Sequence, residues 1–294
     1  MSNIPLSVPS LNGNEMQYVK ECIDTEWVSS AGKYVDLFEE KISEYTSAKC
    51  AIACVNGTTA LQVSIRLAGV RPGDEVIVSP WTMSASATAI LVWNAIPVFA
   101  DIEGETFNLD PASIEKNITP YTKAIVVTNI FGHPARLNEI MAIANKYKLK
   151  VIEDNAQAPG ALYHGKYTGC VSDIGVFSLN YHKHIHTGEG GICVTDDDEL
   201  ALRLRGIRNH GENIVEPLNM SDSTNMLGFN FRMTEMSAAI GVEQLIKAEE
   251  LVSVREEIAS HLSEAVSEME GITPPKVRSG CRHVYYLWSA RFDA

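Results

Sequence analysis

Apolar residues recur at helical spacing in NEMQYVKECIDT and VDLFEEKISEYTSA, with charges on the opposite face, which predicts two amphipathic helices near the start of the chain. Further on, short β-rich runs alternate with helical ones. CAIACV precedes TTALQVSIRLAGV, DEVIVSP precedes SASATAILVWNA, IPVFADI follows, KAIVVTNIF precedes LNEIMAIANKYKL, and KVIED, DIGVFSL and GGICVTD lead to DELALRLRGIRNHG. Strands that are apolar almost throughout and separated by helices belong to a mostly parallel sheet covered on both faces. The predicted fold class is therefore α/β over about residues 45 to 210. RMTEMSAAIGVEQLIKAEELVSVREEIASHLSEAV reads as one long helix or two joined ones, and HVYYLWSARFDA as β-like alternation. The expected organisation is a large domain over 1–245, then a bridging helix and a small, incomplete C-terminal domain over 246–294.

Composition narrows the function classes. The chain has 294 residues, 45% hydrophobic and 21% charged, enough to bury a sizeable core. Its 24 basic against 37 acidic residues give a net charge of -13, and no basic run is dense enough to track a phosphate backbone, so nucleic acid is not an expected partner. The six cysteines form no CxxC pair and read as reduced, mostly buried thiols. MSNIPLSVPSLNG lacks a basic segment followed by an apolar one, and no apolar run approaches the ~20 residues that span a bilayer; a soluble, cytoplasmic protein without a membrane partner is expected.

In an open α/β sheet, ligands bind beyond the carboxyl ends of the strands. Four segments there carry candidate chemistry. In CVNGTTALQ a strand ends at Asn56-Gly57 and a helix starts at Thr58 or Thr59, which makes either an anion pocket for a phosphate or a plain N-cap. In SPWTMSASA, Trp81 follows a strand, where an indole suits stacking on a flat ring or burial in the core. In KVIEDNAQAPGA, Glu153 and Asp154 close a strand, with Gln157 following; a buried carboxylate needs a partner, and a protonated ring nitrogen or, less readily, a metal would serve. FSLNYHKHIHTGEGG holds His182, His184 and His186 at alternate positions around Lys183. On a strand the histidines would share a face and could ligate a metal; the lysine is a solvated charge or, in a cleft, a Schiff-base nucleophile.

Taken in order, NGTTALQ, RPGDEVIVSPWT, IPVFADIEGETFNLDP, VIEDNAQAPGALYHGKYTG, FSLNYHKHIHTGEGG, RNHG and GFNFRMTEMSAAIG resemble the DegT/DnrJ/EryC1/StrS family of nucleotide-sugar aminotransferases. The resemblance runs from about Pro9 to Phe292. It implies the type I aminotransferase fold and pyridoxal 5′-phosphate (PLP) as cofactor. Lys183, placed five residues after Ser178 and shortly before TGEGG, matches the lysine that binds the cofactor as a Schiff base. By the same matching, Asp154 pairs with the pyridinium nitrogen and Gln157 with the ring hydroxyl. Trp81 stacks on the ring, and Gly57, Thr58 and Ser178 hold the phosphate. Asn230 reaches the phosphate of a neighbouring subunit, which implies a homodimer with shared sites. No metal is implied.

The resemblance further implies transfer of an amino group from an amino acid, usually L-glutamate (giving 2-oxoglutarate), to a ketosugar carried on a nucleotide, in polysaccharide or natural-product amino-sugar synthesis. His184, His186 and Arg136 depart from residues frequent in the family, and family members continue past the end of this chain, so about the last fifth of the small domain is expected to be missing. The rival readings are a PLP-dependent sugar dehydratase, in which a histidine replaces the lysine, a non-catalytic protein of the same fold, and a histidine metalloprotein.

Overall fold

The computed structural model describes residues 7–212 and 226–293. Helices α1 (Glu15–Asp24) and α2 (Lys33–Thr46) come first, as the apolar spacing predicts, and the β/α alternation follows. Its elements are β1 (Cys50–Cys54), α3 (Gly57–Leu67), β2 (Glu75–Val78), α4 (Ala85–Leu91), β3 (Ile96–Phe99), α5 (Pro111–Lys116), β4 (Thr122–Thr128), α6 (Leu137–Tyr147) and β5 (Lys150–Asp154). A hairpin of β6 (Leu162–Tyr163) and β7 (Lys166–Tyr167) leads to β8 (Ile174–Ser178), β9 (Gly191–Thr195) and α7 (Asp198–Arg208).

The main sheet has seven strands in the order β1-β9-β8-β5-β4-β2-β3. Only the pairings of β9 are antiparallel, so β1, β2, β4, β5 and β8 all end at the same edge of the sheet. Alternation of side chains across each strand divides the core into layers. Val76, Val78, Val126, Ile152 and Val176 cluster with Leu61 and Ile65 of α3 and Ile90 of α4. Their neighbours Ile77, Ile125, Val127 and Val151 join Leu137 and Ile140 of α6 on the other face. With both faces covered, strands such as EVIV and TKAIVVT carry apolar residues at consecutive positions.

The predicted late helical segment is two joined helices, α8 (Glu235–Ile246) and α9 (Ala248–Val266), meeting at Lys247. α8 packs Ala238, Ala239 and Val242 against Phe38 and Ile42 of α2. The approach requires Gly241, because a Cβ there would stand 2.7 Å from the Phe38 ring.

The C-terminal segment departs from the predicted alternation. Only β10 (Ile272–Thr273), β11 (Cys281–Arg282) and β12 (Arg291–Phe292) pair, β10 with β12 and β11 with β6. Between β11 and β12 the chain runs as a strap across the main domain. Val284 N donates to Gly132 O at 3.1 Å and Leu287 N to Phe131 O at 3.3 Å. The fully buried Val284 side chain packs with Ala158, Ala161 and Val252, so its apolar residues are satisfied by the domain surface rather than by a partner strand. Among the described residues, no helix is long and apolar enough to cross a membrane.

Candidate active site

At the shared edge where the parallel strands end, a cavity of about 520 Å³ opens between α3, the loop after β8 and the strap. Gly57 and Thr58 form one wall. Asn56 caps α3, its Oδ1 accepting from Thr59 N at 2.8 Å, while Ala60 N bonds back to Asn56 O. Gly57 and Thr58 are the first two helical residues, so their amides have no acceptor within the helix and suit an anion. Ser178, the last residue of β8, lies directly beside them: a Cβ on Gly57 would stand 2.7 Å from the Ser178 Cβ.

Asp154 closes β5 on the cavity floor and is 3% exposed. Its Oδ2 accepts from Ser86 Oγ at 2.7 Å and its Oδ1 from Ala156 N at 3.1 Å. Burial raises its pKa, against the opposing pull of Ser86, the Ala156 N–H and the charge of Lys183. No cation lies within ion-pairing distance of it among the described residues. Thr82 links the floor to the wall, its hydroxyl 3.0 Å from both Ser86 Oγ and Thr128 Oγ1. Gln157 has its Oε1 occupied by the Phe131 amide at 2.7 Å, so the donors left on the carboxamide are those of Nε2.

Lys183 lines the same cavity, and its Nζ lies 4.5 Å from the centroid of the Tyr286 ring. The loop that carries it is not a strand, which corrects the expectation that three alternate histidines share one face. His182 is exposed and its ring lies tilted against Tyr181, with centroids 3.7 Å apart. His184 is buried and donates from Nε2 to Val284 O at 2.8 Å; burial, with Arg255 and Lys183 nearby, pushes its pKa down to about 3 and keeps the ring neutral. His186 is buried elsewhere, with neither ring nitrogen bonded and its pKa lowered by burial. The reversal of the chain after β8 thus sends the three rings into different surroundings. Among the described residues, no group of three or more His, Cys, Asp or Glu could hold a metal ion.

Six of the eight predicted site residues, Gly57, Thr58, Asp154, Gln157, Ser178 and Lys183, line one cavity. Trp81 does not join them: the wall at that point is built by Thr82 and Met83. A strand's alternation ends with the strand, and the turn after β2 carries the chain so that Met83, not Trp81, meets the cavity. Asn230 also lies outside it, exposed and bridged to Asn209. Sequence reasoning missed Ser86, Thr82 and Tyr286. The hydroxyl-rich SASA after a strand was a usable signal for Ser86, whereas nothing in HVYYLW tells which tyrosine turns inward.

The sequence model of the "DegT/DnrJ/EryC1/StrS aminotransferase family" matches residues 9–294. The chain belongs to this family. A GDP-perosamine synthase of Caulobacter vibrioides is 41% identical to this aminotransferase-family chain over 295 residues, covering 99% of the chain and 78% of the relative. A GDP-perosamine synthase of Escherichia coli O157:H7 is 38% identical over 289 residues, covering 98% and 78%. Among solved structures, S. venezuelae DesV in complex with a ketimine intermediate matches with a TM-score of 0.89 at 31% identity, over 95% of this chain and 74% of that one. A GDP-4-keto-6-deoxymannose-3-dehydratase with a trapped PLP-glutamate geminal diamine matches with a TM-score of 0.91 at 28% identity, over 99% and 80%. The type I aminotransferase fold expected from the sequence is thus the fold of the solved relatives, with its mostly parallel sheet flanked by helices. As a family member, the chain is an enzyme of the aminotransferase class.

Proposed function

We propose that this enzyme moves an amino group from an amino acid, with L-glutamate as donor, to the ketone of a nucleotide-linked sugar, using PLP bound through Lys183. The observation that carries this reading is the Asp154 carboxylate, buried at the floor of the cavity that holds Lys183 with no cation within ion-pairing distance among the described residues. A protonated ring nitrogen is the partner that such a group lacks. The remaining walls fit the same molecule. Gly57, Thr58 and Ser178 present two helix-end amides and a hydroxyl to a phosphate, and Gln157 presents Nε2 to a ring hydroxyl. When bound, PLP supplies an electron sink.

The chain's own residues do the rest. Asp154 would hold a protonated ring nitrogen, and Ser86 and the Ala156 amide hold its two oxygens in place. The Lys183 amine, which lines the cavity, would take the proton from the donor's α-carbon in the first half-reaction and return one to the sugar carbon in the second. The two GDP-perosamine synthases suggest a GDP-linked ketosugar as the first acceptor to try. Asn230, exposed and outside its own chain's cavity, is free to complete the site of a second copy in a cytoplasmic homodimer.

Half-reactions test the proposal. Protein loaded with PLP should show a visible band that L-glutamate removes with release of 2-oxoglutarate, and a GDP-linked ketosugar should restore it. Reduction with borohydride and peptide mapping should place the label on Lys183. Label on no lysine would favour the dehydratase reading, and failure of glutamate to discharge the band would remove the transaminase one.

A further inference from the structure

We infer that Tyr286 is a positioning residue for Lys183: its ring is the seat that holds the lysine ammonium at the cavity wall whenever the amine is not covalently engaged. This rests on the reading of Lys183 as the reacting amine. Lys183 Nζ lies 4.5 Å from the Tyr286 ring centroid, within the range in which an aromatic face attracts an ammonium, and both residues line the same cavity. Lysine is a flexible stem with a point charge, so without a seat the amine would sample many rotamers and be lost to solvent between the two half-reactions.

The seat is built with care. Tyr286 lies on the strap, pinned on one side by the Val284 and Leu287 amides bonding to Gly132 and Phe131, and on the other by His184 Nε2 donating to Val284 O at 2.8 Å. Arg255 Nη1 reaches the carbonyls of Tyr285 and Tyr286 at 3.4 and 3.5 Å. The two facing pieces of backbone both hold a bulky residue in the left-handed region, Phe131 at φ 59° and Tyr285 at φ 47°. Such strain persists only where surrounding contacts over-determine it, and it clusters where a side chain must be aimed. Tyr285 turns away to stack on His283 at 3.9 Å, and the turn delivers Tyr286 to the cavity. The Phe131 amide is held by Gln157 Oε1, so the strap that carries the seat is fastened to a wall residue of the site it serves.

The groups that face Lys183 are Asp154 from β5, His182, His184 and Glu189 from its own loop, and Tyr286 from the strap, with Arg255 of α9 behind His184. Asp154 is committed to Ser86 and the Ala156 amide, and Glu189 to Asn180. Among the described residues, Tyr286 is thus the group whose ring contacts the amine.

The test compares the parent with Tyr286→Leu, which keeps an apolar side chain but removes the π face, and Tyr286→Phe, which keeps the face. In cofactor-free protein, trace acylation followed by peptide mapping reads the reactivity of Lys183 relative to an exposed lysine such as Lys146 in the same sample. The Leu variant should raise that ratio about tenfold, and Phe should return it to within about twofold of the parent. In PLP-loaded protein, the Leu variant should lower kcat about tenfold with KM for the amino donor nearly unchanged, and Phe should restore it. Equal Lys183 labelling in all three proteins overturns the inference, as does loss in the Phe variant equal to that in Leu. If the acylation ratios follow the expected order while the parent forms no covalent chromophore with PLP, the seat stands and the function proposed above falls.

Discussion

The end of β5 places two acids side by side, and the regions they face are built on opposite plans. Glu153 turns into a closed loop, where Oε1 accepts from the amides of Val171 and Ser172 at 3.1 and 3.0 Å and Oε2 from Gly169 N at 2.9 Å and Asn129 Nδ2 at 3.1 Å. Asp154 turns into the cavity with one hydroxyl and one amide as partners. Burial raises the pKa of both carboxyls, so burial does not separate them. The difference is in completion. Glu153 has four donors and is finished as a piece of structure, whereas Asp154 keeps acceptor capacity aimed at an open space. An unfinished buried charge beside a cavity is what a binding site looks like before its ligand arrives.

The comparison breaks most readily at the amine the open side serves. Lys183→Ala should abolish the covalent chromophore with PLP and lower turnover by at least ~10³-fold, read by absorbance and by product assay. If chromophore and turnover survive, the cavity is not the site. Next, Asp154→Asn should lower turnover about 10²- to 10³-fold while leaving the melting temperature near that of the parent, because the lost group acts on a ligand. Glu153→Gln should do the reverse. Its carboxamide would set an N–H₂ against amide donors, costing about 2–3 kcal/mol in denaturant unfolding, while the folded fraction keeps its specific activity. Equal effects of the two substitutions on stability would erase the distinction between the two regions.

A pH titration sharpens it from another side. His133, His184 and His283 are buried, and burial pushes them down to about 4, 3 and 3 from 6.5. Each stays neutral when folded and binds a proton when unfolded, so the stability it contributes is full above its unfolded value and drains away as pH falls toward the folded one. Between about pH 6 and pH 4 the three together should cost up to roughly 4 kcal/mol per pH unit. The two raised carboxyls work with the opposite sign: they favour the folded state as it takes up protons at low pH, and so blunt the slope near their own range. The measurement is the unfolding midpoint at a series of pH values. A flat midpoint from about pH 7 to pH 5 would mean that the three histidines are not held neutral. All three lie at or beside the strap, so the first cooperative unit lost in acid should be the segment that carries Tyr286.

Most of the sheet and half of its furnishings could be read from the sequence, for a common reason. Strands and helices announce themselves by period, and in a parallel sheet the residues that end strands must converge on one edge, so Gly57 and Asp154 were readable as neighbours before any coordinate. Ser178, Gln157 and Lys183 were placed by a resemblance in motif order. What escaped depends on turns. The fate of His182, His184 and His186 is decided by the reversal after β8, and the strap from residue 283 onward takes its course from Val284 burying itself among Ala158, Ala161 and Val252. A contact between Lys183 and a tyrosine so far along the chain leaves no local signature.

Trp81 and Met83 give the finest test of that division between period and turn. The resemblance places the indole on the cofactor ring, yet in the structure Trp81 lies outside the cavity, with its amide tied to Ser79 Oγ at 3.0 Å, while Met83 lines the cavity. A thioether supplies a polarizable contact to an aromatic ring, and such contacts are worth about 0.3–1.5 kcal/mol. Met83→Ala should therefore weaken PLP binding by about two- to tenfold, measured by titration of the cofactor into the apoprotein, and Trp81→Ala should change it by less than about twofold. The reverse order would show that the turn after β2 rearranges when the ring is present. The stacking residue would then be the one the motif indicates, and the cavity wall would be set by the ligand rather than by the chain.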